Sequence, residues 1–151
     1  MNSMNDTAVA AGPTAGPTGR THRLRRLVGT GFVATLAAMT ATTLAAAPAR
    51  AAGADFELPD GGETIPLSGF AVVTGFFSVV GVAIAAALLR WSARPAERFV
   101  RTAVSLTAIS LVPPLLSGAN PATITALIGL HLVPATVMIP ALARSLRTRT
   151  D

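Results

Sequence analysis

Residues 27–47, 69–89, 102–116 and 122–143 hold no Asp, Glu, Lys or Arg, and their polar positions are confined to Ser, Thr and one His. A bilayer core about 30 Å thick takes about 20 residues of helix at about 1.5 Å per residue, and three of these stretches meet that length unaided. The third reaches it by taking in Phe99, Val100 and Arg101, whose long stem lets its guanidinium snorkel, with Ser117 and Gly118 at the other end. The pattern predicts helices at about 27–47, 69–90, 99–117 and 122–143. They are joined by an outer loop, 48–68, and an inner loop, 91–98, between a disordered basic leader, 1–26, and a basic tail, 144–151. In the outer loop Phe56, Glu57 and Leu58 alternate, Pro59, Asp60, Gly61 and Gly62 supply turn chemistry, and Glu63, Thr64 and Ile65 alternate again. The expected fold class is an all-α membrane protein: a four-transmembrane-helix bundle with a small extracytoplasmic hairpin loop.

Charge placement orients this bundle. Short cytoplasmic loops keep Arg and Lys while translocated loops lack them. Ahead of the first stretch Arg20, Arg23, Arg25 and Arg26 stand against Asp6, a net of +3. Between the second and third, Arg90, Arg94, Arg98 and Arg101 stand against Glu97, again +3, and in the tail Arg144, Arg147 and Arg149 stand against Asp151, +2. The loop after the first stretch is the opposite, Arg50 against Asp55, Glu57, Asp60 and Glu63, a net of −3. The expectation is a multi-pass protein of the plasma membrane with both termini cytoplasmic and Trp91 at the inner interface. Composition agrees, since 51% of residues are hydrophobic and 13% charged, about half the charge usual for a soluble domain. The pI of 11.7 raises nucleic acid as a partner, but the arginines lie at helix ends rather than along one soluble face, and the expectation is no nucleic acid. Every basic residue is arginine, which with the alanine excess fits a GC-rich genome. The chain has no cysteine, so disulfides, thiolate nucleophiles and Cys-based metal sites are excluded.

Arg25 and Arg26, an apolar run, and then Ala49, Arg50 and Ala51 also fit a secretory signal with a small-x-small cleavage site, which would leave three helices. The apolar run is longer than the 7 to 15 residues of a usual signal core, and the leader ahead of it is long, so an uncleaved helix is expected. The paired arginines fit twin-arginine export, and equally the flanking charge of any membrane helix. The leader's repeated Gly-Pro-Thr, at Gly12 to Thr14 and Gly16 to Thr18, has no apolar periodicity and belongs to a disordered segment.

Candidate chemistry is sparse. The four carboxylates of the outer loop have no tight ligand spacing, so a solvated acidic loop is the plainer reading than a cation site. In the second helix Ala71, Gly75, Ser78, Gly81 and Ala85 form a small-residue stripe that admits close backbone approach, either within the bundle or between copies. Val73, Phe77, Val80, Ile84 and Leu88 form the bulky opposite side. The first helix has a comparable stripe, Gly31, Ala34, Ala38, Ala41 and Ala45, but is so rich in alanine that any register looks small. Pro113, Pro114, Pro134 and Pro140 each remove a helical donor and kink the last two helices, as in transporter pathways or as simple bundle shaping. The freed carbonyls are those of Ile109, Ser110, Leu130 and Thr136, with hydroxyls of Ser105, Thr107, Ser110, Thr125 and Thr136 nearby to satisfy them. His131 is the one ionisable side chain deep in an apolar stretch, a candidate for proton transfer or pH sensing, or a neutral imidazole bonded to a nearby carbonyl or hydroxyl. No acidic residue of the sequence lies at its depth.

The closing motif, His131-Leu132-Val133-Pro134-Ala135 through Ile139-Pro140, together with four helices, a Pro and Gly-rich outer loop and an Arg-rich inner loop, resembles a known family over about residues 25–147. This is the group of small four-helix membrane proteins of high-GC Gram-positive bacteria classed as domain of unknown function six-zero-six-nine. The resemblance implies the architecture and supplies no catalytic residues, cofactor or metal. The residues by themselves provide no nucleophile with its base, no paired acids and no phosphate-cradling loop, so an enzyme is not expected. Two functions are expected: a non-enzymatic scaffold or accessory subunit packing through small-residue faces, or a proton-linked small transporter or pH-sensing element using His131. The expected partners are the lipid bilayer and a second copy or another membrane protein.

Overall fold

The computed structural model describes residues 17–54, 56 and 64–147. Its helices are α1, Pro17–Ala51; α2, Leu67–Trp91; α3, Pro95–Ser110; α4, Val112–Leu116; and α5, Pro121–Arg147. The third span is α3 and α4 together, and the four spans are long and apolar enough to cross a membrane. Short connections make successive spans antiparallel. α1 packs along both α2 and α5, α3 packs against α2 and α5, and α2 also touches α5, so α1 and α3 stand on opposite corners of the bundle.

Element boundaries differ from the sequence expectation wherever local helix signals outlast the apolar run. Residues 17–26, assigned to the disordered leader, are the first turns of α1. Arg and Leu are strong helix formers, and once the apolar segment has nucleated, each added residue gains one hydrogen bond. The inner loop shrinks from 91–98 to Ser92, Ala93 and Arg94, because Pro95 takes the first helical position and Glu97 the first turn of α3. Helix α5 likewise runs to Arg147, so the tail's first four residues are helical. Residues 1–16 and 148–151 lie outside the described residues.

The outer loop is described only at its roots. α1 ends in a Schellman turn, with Ala54 N–H donating to the Ala49 carbonyl at 3.1 Å, Gly53 N–H to Arg50 at 3.0 Å, and Gly53 at φ +97°. The small-x-small residues Ala49, Arg50 and Ala51 are thus the last turn of α1. Ile65 N–H donates to the Phe56 carbonyl at 3.2 Å, and Thr64 is a bridge residue, so the two arms of the expected hairpin meet at its base. Its tip, with Pro59 to Gly62, and the carboxylates of Asp55, Glu57, Asp60 and Glu63 lie outside the described residues.

Apolar packing forms two clusters. Leu27, Ala34, Ala38, Ala85, Phe99, Met138, Leu142, Ala143 and Leu146 fill the arginine-bearing end. Ala46, Ala54, Phe56, Phe70 and Leu130 fill the loop end. Phe56 closes that end like a plug: it is 1% exposed, its ring meets Phe70 edge-on at 4.9 Å, and Arg50 stacks 5.8 Å above it. The Arg50 guanidinium also donates to the Ile65 carbonyl. Arg50 is the one arginine on the acidic side of the charge pattern, and these two contacts supply a structural reason for it.

Candidate functional site

The small-residue stripe of α2 is used inside the chain. Thr74, Ser78 and Ala85 are buried, Ala71, Gly75 and Gly81 half-buried. A Cβ added at Gly75 would stand 3.0 Å from Met39 Sδ of α1, which is close approach of the kind small residues permit. At Gly81, on the same stripe, an added Cβ would meet nothing within 4 Å. The tightest place in the seam is instead on α1, where a Cβ on buried Gly31 would come 2.5 Å from Val82 Cγ2. The alanine-rich stripe of α1, which composition alone left ambiguous, is real packing surface: Gly31, Ala34 and Ala38 are all buried. On the other side of α2 Val73, Phe77 and Val80 are exposed, while Ile84 and Leu88 are half-buried and pack against the core.

The prolines act in two ways. Pro113 and Pro114 occupy the first turn of α4, so the third span breaks at Leu111 immediately before them, at positions where a missing N–H costs no helical bond. Pro134 and Pro140 lie within α5, which continues through both. The neighbouring hydroxyls do not reach the carbonyls these prolines free. Thr136 Oγ1 donates to Val133 at 2.8 Å, Thr107 Oγ1 to Ala103 at 2.9 Å, Ser110 Oγ to Thr107 at 2.7 Å and Thr125 Oγ1 to Pro121 at 2.8 Å. Each returns to its own helix three or four residues back, the nearest acceptor a short hydroxyl can find.

His131 behaves similarly. It is half-buried, and its Nδ1 lies 2.8 Å from the Leu127 carbonyl one turn back. A carbonyl only accepts, so Nδ1 carries the proton and Nε2 is left as the ring's second nitrogen. Among the described residues the sole carboxylate is Glu97, at the arginine-bearing end, well removed from His131. No group of three or more His, Cys, Asp or Glu able to hold a metal occurs among the described residues.

Thr42, Thr74 and Thr123 are buried polar residues that escaped the sequence reading. Thr42 is 2% exposed, and its Oγ1 finds no hydrogen-bond partner. Its depth follows from the two clusters: Thr42 lies midway between Ala38 and Ala46 on α1, and Pro134 midway between Leu130 and Met138 on the antiparallel α5. Both therefore occupy the level between the clusters. A threonine in an alanine-rich helix gives no sign in sequence that its hydroxyl points inward.

No curated protein and no solved structure matches this chain. A family model does, over residues 22–148, which takes in most of the first span, the other three spans and the loops between them. The chain therefore belongs to a family of unknown function, DUF6069.

Proposed function

We propose that this protein is a non-enzymatic scaffold or accessory subunit of the plasma membrane, with both termini cytoplasmic, that acts by packing against another membrane protein or a second copy. The supporting observation is where the polar groups of the spans point. Thr35, Thr43 and Thr107 hydroxyls and the His131 ring each bond a carbonyl four residues back on their own helix, so these bonds are made within single helices rather than between them. Catalysis or solute coordination needs polar groups that converge on one point. The interior is filled mainly by Ala, Leu, Met and Phe, with Thr42, Thr74, Ser78 and Thr123 as its buried polar side chains, and the outer helix faces remain for recognition. One such face is on α2, where Val72, Val73, Phe76, Phe77 and Val79 stand exposed and the two Phe rings meet edge-on at 5.4 Å. Because the small stripe already meets α1 at Gly75, an external interface falls to these bulky faces. The cytoplasmic placement of the termini rests on the arginine distribution.

A chain without cysteine makes the test direct. Single cysteines at Phe32, Phe77 and Leu106, exposed positions on α1, α2 and α3, are cross-linked in native membranes with thiol reagents of increasing length. The expected outcome is a species heavier than one chain from at least one face, formed at expression levels low enough to exclude crowding. Monomer alone from all three faces would refute the reading.

A further inference from the structure

At the arginine-bearing end an open groove of about 470 Å³ runs between the start of α3 and the end of α5. Arg94, Arg101 and Arg147 line it with a single carboxylate, Glu97, and Val100 and Leu146 form its apolar wall. The side chains of Arg94 and Arg101 are 80% and 79% exposed, and both already lean on Glu97, at 3.6 Å and 2.8 Å. Two of the three guanidinium groups share that one carboxylate, and the lining as a whole carries two positive charges in excess. Ala96 and Glu97 belong to the first turn of α3, whose N–H groups have no intrahelical acceptor and whose N-cap, Arg94, makes no side-chain bond to them. Guanidinium forks and uncapped helix N–H groups are both complementary to phosphate oxygens.

Depth selects among phosphates. Trp91 is the last residue of α2 and stands exposed, indole is favoured at a bilayer interface, and Arg94 follows it by three residues. The groove is thus at the level of lipid headgroups. Its apolar side continues along α3 from Val100 to exposed Val104 one turn deeper, a path an acyl chain can follow. The geometry points to a site for an anionic phospholipid, its phosphate held by Arg94, Arg101 and Arg147 and one acyl chain laid along Val100 and Val104. Glu97 is then a brake on the site: it holds two of the three arginines and repels the incoming phosphate, and its removal strengthens binding.

Native mass spectrometry of the full chain, released from detergent with measured additions of phosphatidylglycerol, phosphatidylcholine or inorganic phosphate, tests this. The expected result is retained phosphatidylglycerol in excess of phosphatidylcholine, reduced at least about tenfold in the double variant Arg94→Gln, Arg147→Gln and kept in Arg26→Gln, which removes an arginine outside the groove. Glu97→Gln is expected to raise retention, and since a misfolded chain cannot gain a ligand, that gain separates lost binding from lost fold. Equal retention of the two lipids, no difference between the double variant and Arg26→Gln, or no gain in Glu97→Gln would overturn the proposal. Displacement of the lipid by millimolar inorganic phosphate would overturn it as a lipid site and make it one for the free anion.

Discussion

At the scale of single residues, what decides the packing of α1 on α2 is the absence of a side chain. Gly31 faces Val82, whose branched Cβ fixes its rotamer, so a methyl group 2.5 Å from Cγ2 forces the two backbones apart. Gly31→Ala is expected to lower the melting temperature in detergent and to cost about 1 to 3 kcal/mol, even though alanine is the better helix former. Gly81→Ala meets no atom within 4 Å and gains helix propensity alone, so the same measurement is expected to show a rise worth up to about 1 kcal/mol. Thr42 offers a second contrast. Its buried, unpartnered hydroxyl carries a desolvation cost that a methyl group of the same shape does not, so Thr42→Val is expected to leave stability unchanged or raise it by about 1 kcal/mol in thermal unfolding. A fall of that size would mean that the hydroxyl has a partner.

At the scale of elements, helix ends matter more than helix middles. α5 begins behind Asn120, whose Oδ1 accepts the Thr123 N–H at 2.8 Å, after a turn in which Gly118 adopts φ +67°. Thr123 is itself 1% exposed, and its Oγ1 accepts the Phe56 N–H at 3.4 Å, so the cap of α5 also anchors the loop that returns from α1. Asn120→Ala is expected to cost about 1 kcal/mol, read as faster amide exchange at the start of α5 with the arginine-bearing ends unchanged. Loss spread evenly along α5 would assign Asn120 no capping role. These ends were partly legible in advance: Pro95 with Glu97, and the proline pair at 113 and 114, are start signals that a reading by hydropathy passes over because they lie outside or at the edge of an apolar run. Phe56 was not legible, since it was read as one arm of a hairpin, and its burial depends on Phe70, Thr123 and Arg50 from three separate places in the chain.

At the scale of the whole molecule, four antiparallel spans put Arg94, Arg101 and Arg147 at one end and Phe56 at the other. On the topology proposed above from the arginine distribution, that first end is the cytoplasmic one. With no native cysteine to interfere, Ser117→Cys, between α4 and α5, is expected to react with a membrane-impermeant maleimide added to intact cells, and Ser92→Cys, between α2 and α3, only after the membrane is broken. The reverse labelling would invert the topology.

The spans, their order and their opposite directions were determined by the sequence alone, because a bilayer demands about 20 uncharged residues per crossing and excludes arginine from its core, requirements that act on each segment independently of its neighbours. Which faces meet was decided by tertiary structure. Gly31 and Gly81 are equally small, yet one touches Val82 and the other nothing, since contact depends on how two helices are rotated about each other. The same holds for the groove beneath α3: its arginines are distant in sequence and become one site only where the end of α5 returns beside the start of α3.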